Sequence, residues 1–115
     1  MIRIELPWPS RDLHPNARVH WAVRAKATKN ARSTAAWAAR AAKVQHIKAE
    51  ALTVKIAFMP PDNRRRDLDG MLSSVKAYLD GIADIARIDD SRWHIVPIRG
   101  VVTPPHGAVC VEVSA

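Results

Sequence analysis

Leu52-Thr53-Val54-Lys55-Ile56-Ala57-Phe58-Met59 alternates apolar and polar side chains, Pro60-Pro61-Asp62-Asn63 interrupts it, and Arg64-Arg65-Arg66-Asp67-Leu68-Asp69-Gly70 follows. The period of two puts Leu52, Val54, Ile56 and Phe58 on one face and predicts a strand over 51–59. The prolines remove backbone donors and stop it. From Leu68 the period changes. Leu68, Met71, Leu72, Val75, Leu79, Ile82 and Ala86 recur at steps of three and four, which predicts a helix over 68–86 with Asp67 as its cap. Gly81 weakens that helix by roughly 1 kcal/mol relative to alanine.

Working outward, Ile2, Ile4 and Leu6 share one face of a first strand, and Pro7 to Pro15 reads as an ordered loop. Residues 19–47 contain neither glycine nor proline and are rich in alanine, so they predict one helix or two consecutive ones. Ala35, Ala38, Ala39 and Ala42 give that element a small-residue face able to lie close against a sheet. Trp93–Val102 and Ala108–Val113 are strand-like, and Thr103–Gly107 between them predicts a closing hairpin. The order is β-α-β-α-β-β, and residues 1–115 form a single domain without repeat or linker.

The chain has 115 residues, a formal net charge of +7 and a pI near 10.3. Such a charge favours polyanionic partners, with nucleic acid ahead of an anionic membrane. One cysteine, Cys110, excludes an internal disulfide and suits a reducing compartment. The N-terminus lacks a signal-peptide core and no run of about 18 apolar residues occurs, so the expectation is a cytoplasmic protein with no membrane partner. Between Asp12 and Glu50 there is no acid, yet Arg18, Arg24, Lys26, Lys29, Arg32, Arg40, Lys43 and Lys48 supply eight cations. A helix face of one sign forgoes i,i+4 ion pairs, and phosphate contacts are the natural reason. A basic solvated face is the plainer alternative. The same choice applies to Arg64, Arg65 and Arg66. Arg18, Arg24, Lys26, Lys29 and Arg32, with that triplet, are the candidate DNA-binding residues.

Of eleven carboxylates, six (Asp67, Asp69, Asp80, Asp84, Asp89 and Asp90) fall within residues 67–90. Two carboxylates about 4 Å apart repel by roughly 4 kcal/mol at an effective dielectric of 20, so a folded protein that gathers them usually neutralises them. Magnesium or manganese does so well, because both are hard cations that favour carboxylate oxygen. Asp67 and Asp69 lie where loop becomes helix; if the chain turns back after the helix, a third carboxylate from Asp89-Asp90 can converge on them. In one continuous helix Lys76 lies about two turns beyond Asp69 on the same face, roughly 10.5 Å along, and its stem leans back toward the acid. There it could stabilise charge on a phosphate. The alternative is a surface pair with Asp80 at i,i+4.

The other conspicuous residues carry less. His14, His20, His46, His94 and His106 contain no closely spaced metal-ligand pair. Trp8, Trp21, Trp37 and Trp93 could stack on unpaired bases, although packing is the commoner fate of tryptophan. No phosphate-cradling glycine loop, nucleophilic serine setting or dinucleotide fingerprint occurs, so no small-molecule cofactor is expected.

Arg64-Arg65-Arg66-Asp67-Leu68-Asp69, Lys76 with Leu79-Asp80-Gly81-Ile82, and Asp89-Asp90 together resemble the RusA family of Holliday-junction resolvases, common in phages and prophages. Leu6-Pro7-Trp8-Pro9 and Pro15-Asn16-Ala17-Arg18-Val19-His20-Trp21 are similar to that family too. The resemblance implies an α+β fold, a small mixed sheet with two helices in the order given above. It also implies a homodimer, bacterial or phage-encoded, that uses Mg2+ or Mn2+ to place paired nicks in DNA four-way junctions during recombination and repair. Asp67, Asp69 and Asp90 would be the metal-binding and catalytic aspartates and Lys76 the catalytic lysine. Gly70 stands where the family most often has asparagine, and Ser73 where its best-known member has the lysine. The reading of a different class is a non-catalytic basic DNA-binding module, inactive or regulatory, whose carboxylates are caps and surface pairs.

Overall fold

In the computed structural model, which describes residues Met1–Ala115, ten segments of regular structure follow one another. They are β1 (Ile2–Pro7), a 3-10 turn (Arg11–Leu13), α1 (Trp21–Ala41), a second 3-10 turn (Val44–His46), β2 (Leu52–Met59), α2 (Leu68–Ser74), α3 (Lys76–Ala86), a third 3-10 turn (Asp90–Arg92), β3 (Trp93–Arg99) and β4 (Ala108–Ser114). The architecture is α+β, with a four-stranded mixed sheet and three α-helices. None of the helices is long and apolar enough to cross a membrane.

The sheet order is β1-β4-β2-β3, with β4 antiparallel to both its neighbours and β3 parallel to β2. Its register aligns Ile4, Val111 and Ile56 in one row and Leu6, Val109 and Phe58 in another. These side chains are buried together with Val54, Val113 and Leu52. Arg3, Glu5 and Lys55 alternate with them and face outward, as period two requires.

The expected hairpin between the last two strands is absent: β4 inserts between β1 and β2, and β3 takes the outer edge. Burial explains the exchange. Val109, Cys110, Val111 and Val113 are buried, which suits a central position, whereas β3 is buried only at Trp93 and is exposed at Ile98 and Arg99. Pro97 has no N–H to offer a neighbour on its far side, so an edge accommodates it. The 100–107 connection is held by Gly100 N donating to Phe58 O (2.8 Å) and Thr103 N donating to Pro60 O (2.7 Å). It closes on Gly107 at φ +69°, a conformation that favours glycine.

A second correction concerns the helix expected over 68–86, which makes three helices where two were expected. It breaks at Val75 (φ −102°, ψ 6°), whose N–H donates to Leu72 O and Ser73 O. The local sequence is Ser73-Ser74-Val75, with no strong helix former, and Ser74 Oγ donates to Gly70 O at 2.8 Å. A hydroxyl on the carbonyl four residues back loosens the ladder there and bends the helix. The alanine-rich segment is shorter than expected, ending at Ala41. Lys43 then turns left-handed (φ 66°) into the 3-10 turn.

The small-residue face of α1, with Ala31, Ala35 and Ala39 buried, lies chiefly against α3 rather than directly on the sheet. Gly81 makes this possible: a Cβ there would stand 2.2 Å from Arg32 O and 3.0 Å from Ala35 Cβ. Outside this seam Arg32 binds Asp84 in a fork of two 2.7 Å hydrogen bonds. At the other end of the contact Tyr78 Oη donates to Pro7 O at 2.8 Å and ties α3 to β1. Gly81→Ala is therefore expected to lose about 3 kcal/mol by overpacking against backbone, although helix propensity alone favours alanine by about 1. Denaturant unfolding of the variant checks this, and a gain in stability would refute the seam.

Candidate functional site

Asp67 is the N-cap of α2; its backbone is extended (φ −77°, ψ 132°) and its Oδ2 accepts from Gly70 N at 3.2 Å. Asp69 lies in the first turn, exposed, with neither a hydrogen bond nor a cation on its carboxylate. Both carboxylates are thus displayed where the Arg64–Arg66 loop becomes helix, as their spacing predicts. Lys76 does not follow them on a continuous helix, because the break at Val75 makes it the first residue of α3. Its ammonium bonds Asp80 Oδ1 at 2.8 Å and Asp90 Oδ2 at 2.6 Å. The surface pair with Asp80 is therefore formed, and the reach back to Asp69 is replaced by a link forward to Asp90.

That link separates the two members of the Asp89-Asp90 step. Asp90 faces Lys76, while Asp89 Oδ2 accepts from Ser91 Oγ at 2.8 Å. Hydrogen bonds to Asp80 and then Asp90 hold the Lys76 ammonium above its usual range, and the hydrogen bond from Lys76 holds the Asp90 carboxyl below the usual carboxylate range. Asp67, Asp69 and Asp90 are not drawn into one cluster; no three His, Cys, Asp or Glu side chains gather around a common point.

The cations divide by what they touch. Arg24 donates to two backbone carbonyls, His14 O (3.2 Å) and Ala17 O (2.9 Å), and Arg32 is held by Asp84, so both serve the fold. Arg66 is the least exposed of the triplet. Its guanidinium lies 5.3 Å from the Trp8 ring centroid and bonds Asp62 and the carbonyls of Asp62 and Arg64. Asp62 is held low in pKa by its hydrogen bond from Arg66 and then by the Arg64 N–H. Arg64 makes a 3.4 Å contact with Asp62 but remains largely exposed. Arg18, Lys26, Lys29 and Arg65 are exposed and carry no acid partner. These four, with Arg64, remain available to a polyanion.

A cleft of about 650 Å³ opens beside the acidic loop, lined by Trp8, Arg11, His14, the arginine triplet and Asp67 among others. Arg11 and His14 are additions that sequence reasoning missed. Both sit in the proline-rich 7–15 segment, which has no periodicity to say which side chains face inward. Of the tryptophans, Trp8 packs edge-on to Phe58 (6.4 Å, 78°) and Trp93 donates Nε1 to Ile88 O at 2.9 Å; Trp21 and Trp37 are exposed. His94 is exposed as well.

Comparison with known proteins adds one relative. Over 101 residues, 85% of the chain, it is 46% identical to an uncharacterized protein of Xylella fastidiosa, and the match spans 66% of that protein, a little under two thirds. No family model matches the chain.

The Lys76–Asp90 link has a definite pH signature. The depressed Asp90 carboxyl contributes to stability above its unfolded pKa of about 3.9, and the contribution is lost as pH falls through the lower folded value. The raised Lys76 ammonium contributes below its unfolded pKa of about 10.4, and that contribution is lost as pH rises through the higher folded value. Carboxyl-carbon NMR is expected to place the Asp90 midpoint below the ordinary range in the wild type and nearer to it in Lys76→Met. Identical midpoints would mean the contact is not held in solution.

Proposed function

We propose that this chain is a RusA-type, metal-dependent, structure-selective endodeoxyribonuclease that resolves four-way DNA junctions by paired nicks. The observation that carries the proposal is the 2.6 Å contact between Lys76 Nζ and Asp90 Oδ2. Two residues singled out for chemistry, 14 positions apart, meet at the head of α3, which only Val75 separates from the helix whose N-terminus displays Asp67 and Asp69. The basic cleft on Asp67 supports the same reading, because a metal site and a phosphate clamp would then act on one strand. The RusA-like fold belongs to this proposal, with α2 and α3 together as its second helical segment.

The donor chemistry fits the ion. Asp67 and Asp69 offer exposed carboxylate oxygens without a cationic partner, and magnesium typically takes one or two protein carboxylates while keeping water and substrate phosphate in its remaining positions. They would hold Mg2+ or Mn2+; Asp90, the third ligand that the resemblance implies, stands apart from them on Lys76 and would join the set only by exchanging that lysine for the ion. Once bound, the ion supplies an activated water and a counter-charge for the developing phosphorane. The residues themselves do the rest. Asp67 uses Oδ2 to cap α2, which fixes the direction of its carboxylate, and Lys76 brings a positive charge beside Asp90. Arg65 presents a free guanidinium group for flanking phosphates, and Arg64, largely exposed with only a 3.4 Å contact to Asp62, presents a second. Two equivalent cuts in a two-fold symmetric junction call for two such sites, which a C2 homodimer supplies.

A second reading, a non-catalytic basic DNA-binding module, is favoured by a specific observation. Several carboxylates of the acidic stretch are engaged as a cap or as pairs: Asp67 on Gly70 N, Asp84 on Arg32, Asp80 and Asp90 on Lys76. Asp69→Asn separates the readings when a synthetic four-way junction is assayed with and without magnesium beside a linear duplex. The nuclease is expected to nick the junction only with the metal. The variant is expected to lose at least about a hundredfold in rate while binding as well or more tightly, since a negative charge facing phosphate has gone. Wild-type protein that binds junctions but never nicks them in magnesium or manganese would leave the module.

A further inference from the structure

Gly70 poses a question that its own backbone does not answer. It lies in the first turn of α2 at an ordinary negative φ, where alanine would favour the helix by about 1 kcal/mol, so conformational freedom is not the reason for glycine. Its surroundings give the reason. A Cβ on residue 70 would stand 3.1 Å from His14 Nε2, 3.8 Å from His14 Cε1 and 3.6 Å from Asp67 Oδ2. The imidazole occupies the slot that a side chain on α2 would otherwise fill.

His14 is held there from three directions. Its N–H donates to Arg11 O at 3.1 Å, and its carbonyl accepts from Ala17 N at 3.0 Å and from the Arg24 guanidinium at 3.2 Å. Its ring is oriented by Asn16 N, which donates to Nδ1 at 3.1 Å. An Nδ1 that accepts leaves the proton of the neutral ring on Nε2. That N–H has no acceptor within the protein, yet it is not sealed off, since no buried side-chain nitrogen or oxygen lacks a partner. His14 lines the cleft where Arg11, Arg64, Arg65 and Asp67 lie. An oriented, unused donor among guanidinium groups matches an anionic oxygen.

We infer that His14 is a substrate-contacting residue, whose Nε2–H donates to a DNA phosphate oxygen in the cleft beside Asp67, and that Gly70 is the residue that keeps its place open. The inference rests on the reading that this cleft receives DNA. It extends that reading by adding to the metal and phosphate groups of residues 64–90 a directional donor from the N-terminal segment, and it gives Arg24 and Asn16 the task of positioning the imidazole.

The test uses the intact chain and fluorescence-labelled four-way junctions in EDTA, so that binding is read without metal or cleavage. His14→Ala is expected to weaken binding about tenfold, the size of one hydrogen bond to a charged acceptor. His14→Gln, whose amide nitrogen can stand near Nε2, is expected to stay within about threefold of wild type. Gly70→Ala, whose Cβ shifts the imidazole by a few tenths of an ångström, is expected to weaken binding less than His14→Ala does, without lowering the melting temperature, and to have no further effect when His14 is already alanine. A merely structural role for His14 would instead lower the melting temperature in step with affinity and would not be rescued by glutamine. Losses that add in the double variant, or a His14→Ala protein that binds as tightly as wild type, would overturn the inference alone. A wild-type protein that fails to bind the junction would remove the reading beneath it.

Discussion

The close approach of α1 to α3 is the constraint from which the remaining geometry follows. Gly81 lets the two helices meet with Arg32 O in the space a Cβ would take, and the buried Ala31, Ala35 and Ala39 leave no bulk to hold them apart. With α3 pinned on one side by α1 and at Tyr78 by β1, its first residue, Lys76, has a fixed place, and the chain leaving its far end returns to set Asp90 on that lysine. The break at Val75 then turns α2 away as a separate short helix, so the acidic loop is aimed by its cap and by Ser74 rather than by the long helix a continuous ladder would have made. Packing thus decides which charges meet. It joins Lys76 to Asp90 and Arg32 to Asp84, and it leaves Asp69 and Arg65 facing outward.

What the sequence revealed follows the range of each signal. Alternation at 52–59 and at 2–6 produced strands with the expected buried faces, because period two depends only on neighbours two apart. The last two strands were legible as strands but not as partners. Which strand lies beside which is decided by long-range burial, and the continuous burial of β4 against the thin burial of β3 emerges only once the sheet is assembled. The heptad-like steps from 68 to 86 concealed the break, since Val75 is buried in either arrangement and only its dihedrals and the Ser74 hydroxyl reveal the turn.

The site was legible to the same degree. Asp67 and Asp69 occupy the loop-to-helix position that their order predicts, but the expected convergence of Asp90 on them is not formed, and Lys76, expected to reach back to Asp69, meets Asp80 and Asp90 instead. A count of cations could not say which were free. Arg24 and Arg32 belong to the fold, for reasons 7 to 52 residues away in sequence, while Lys26, Lys29 and Arg65 stay exposed. Arg11 and His14 had no signal of their own; they line the cleft because the proline-rich segment packs beside α2, with His14 against Gly70.

A nuclease reading asks these carboxylates to do one thing that a set of caps and surface pairs need not do, which is to bind a hard divalent ion. Titration of the free protein with Mn2+, followed by loss of the free-ion electron paramagnetic signal, measures this without substrate. Saturable uptake of one or two ions per chain is expected, and it is expected to disappear in Asp67→Asn/Asp69→Asn. Uptake that is absent in the wild type, or unchanged in the double variant, would contradict the nuclease reading.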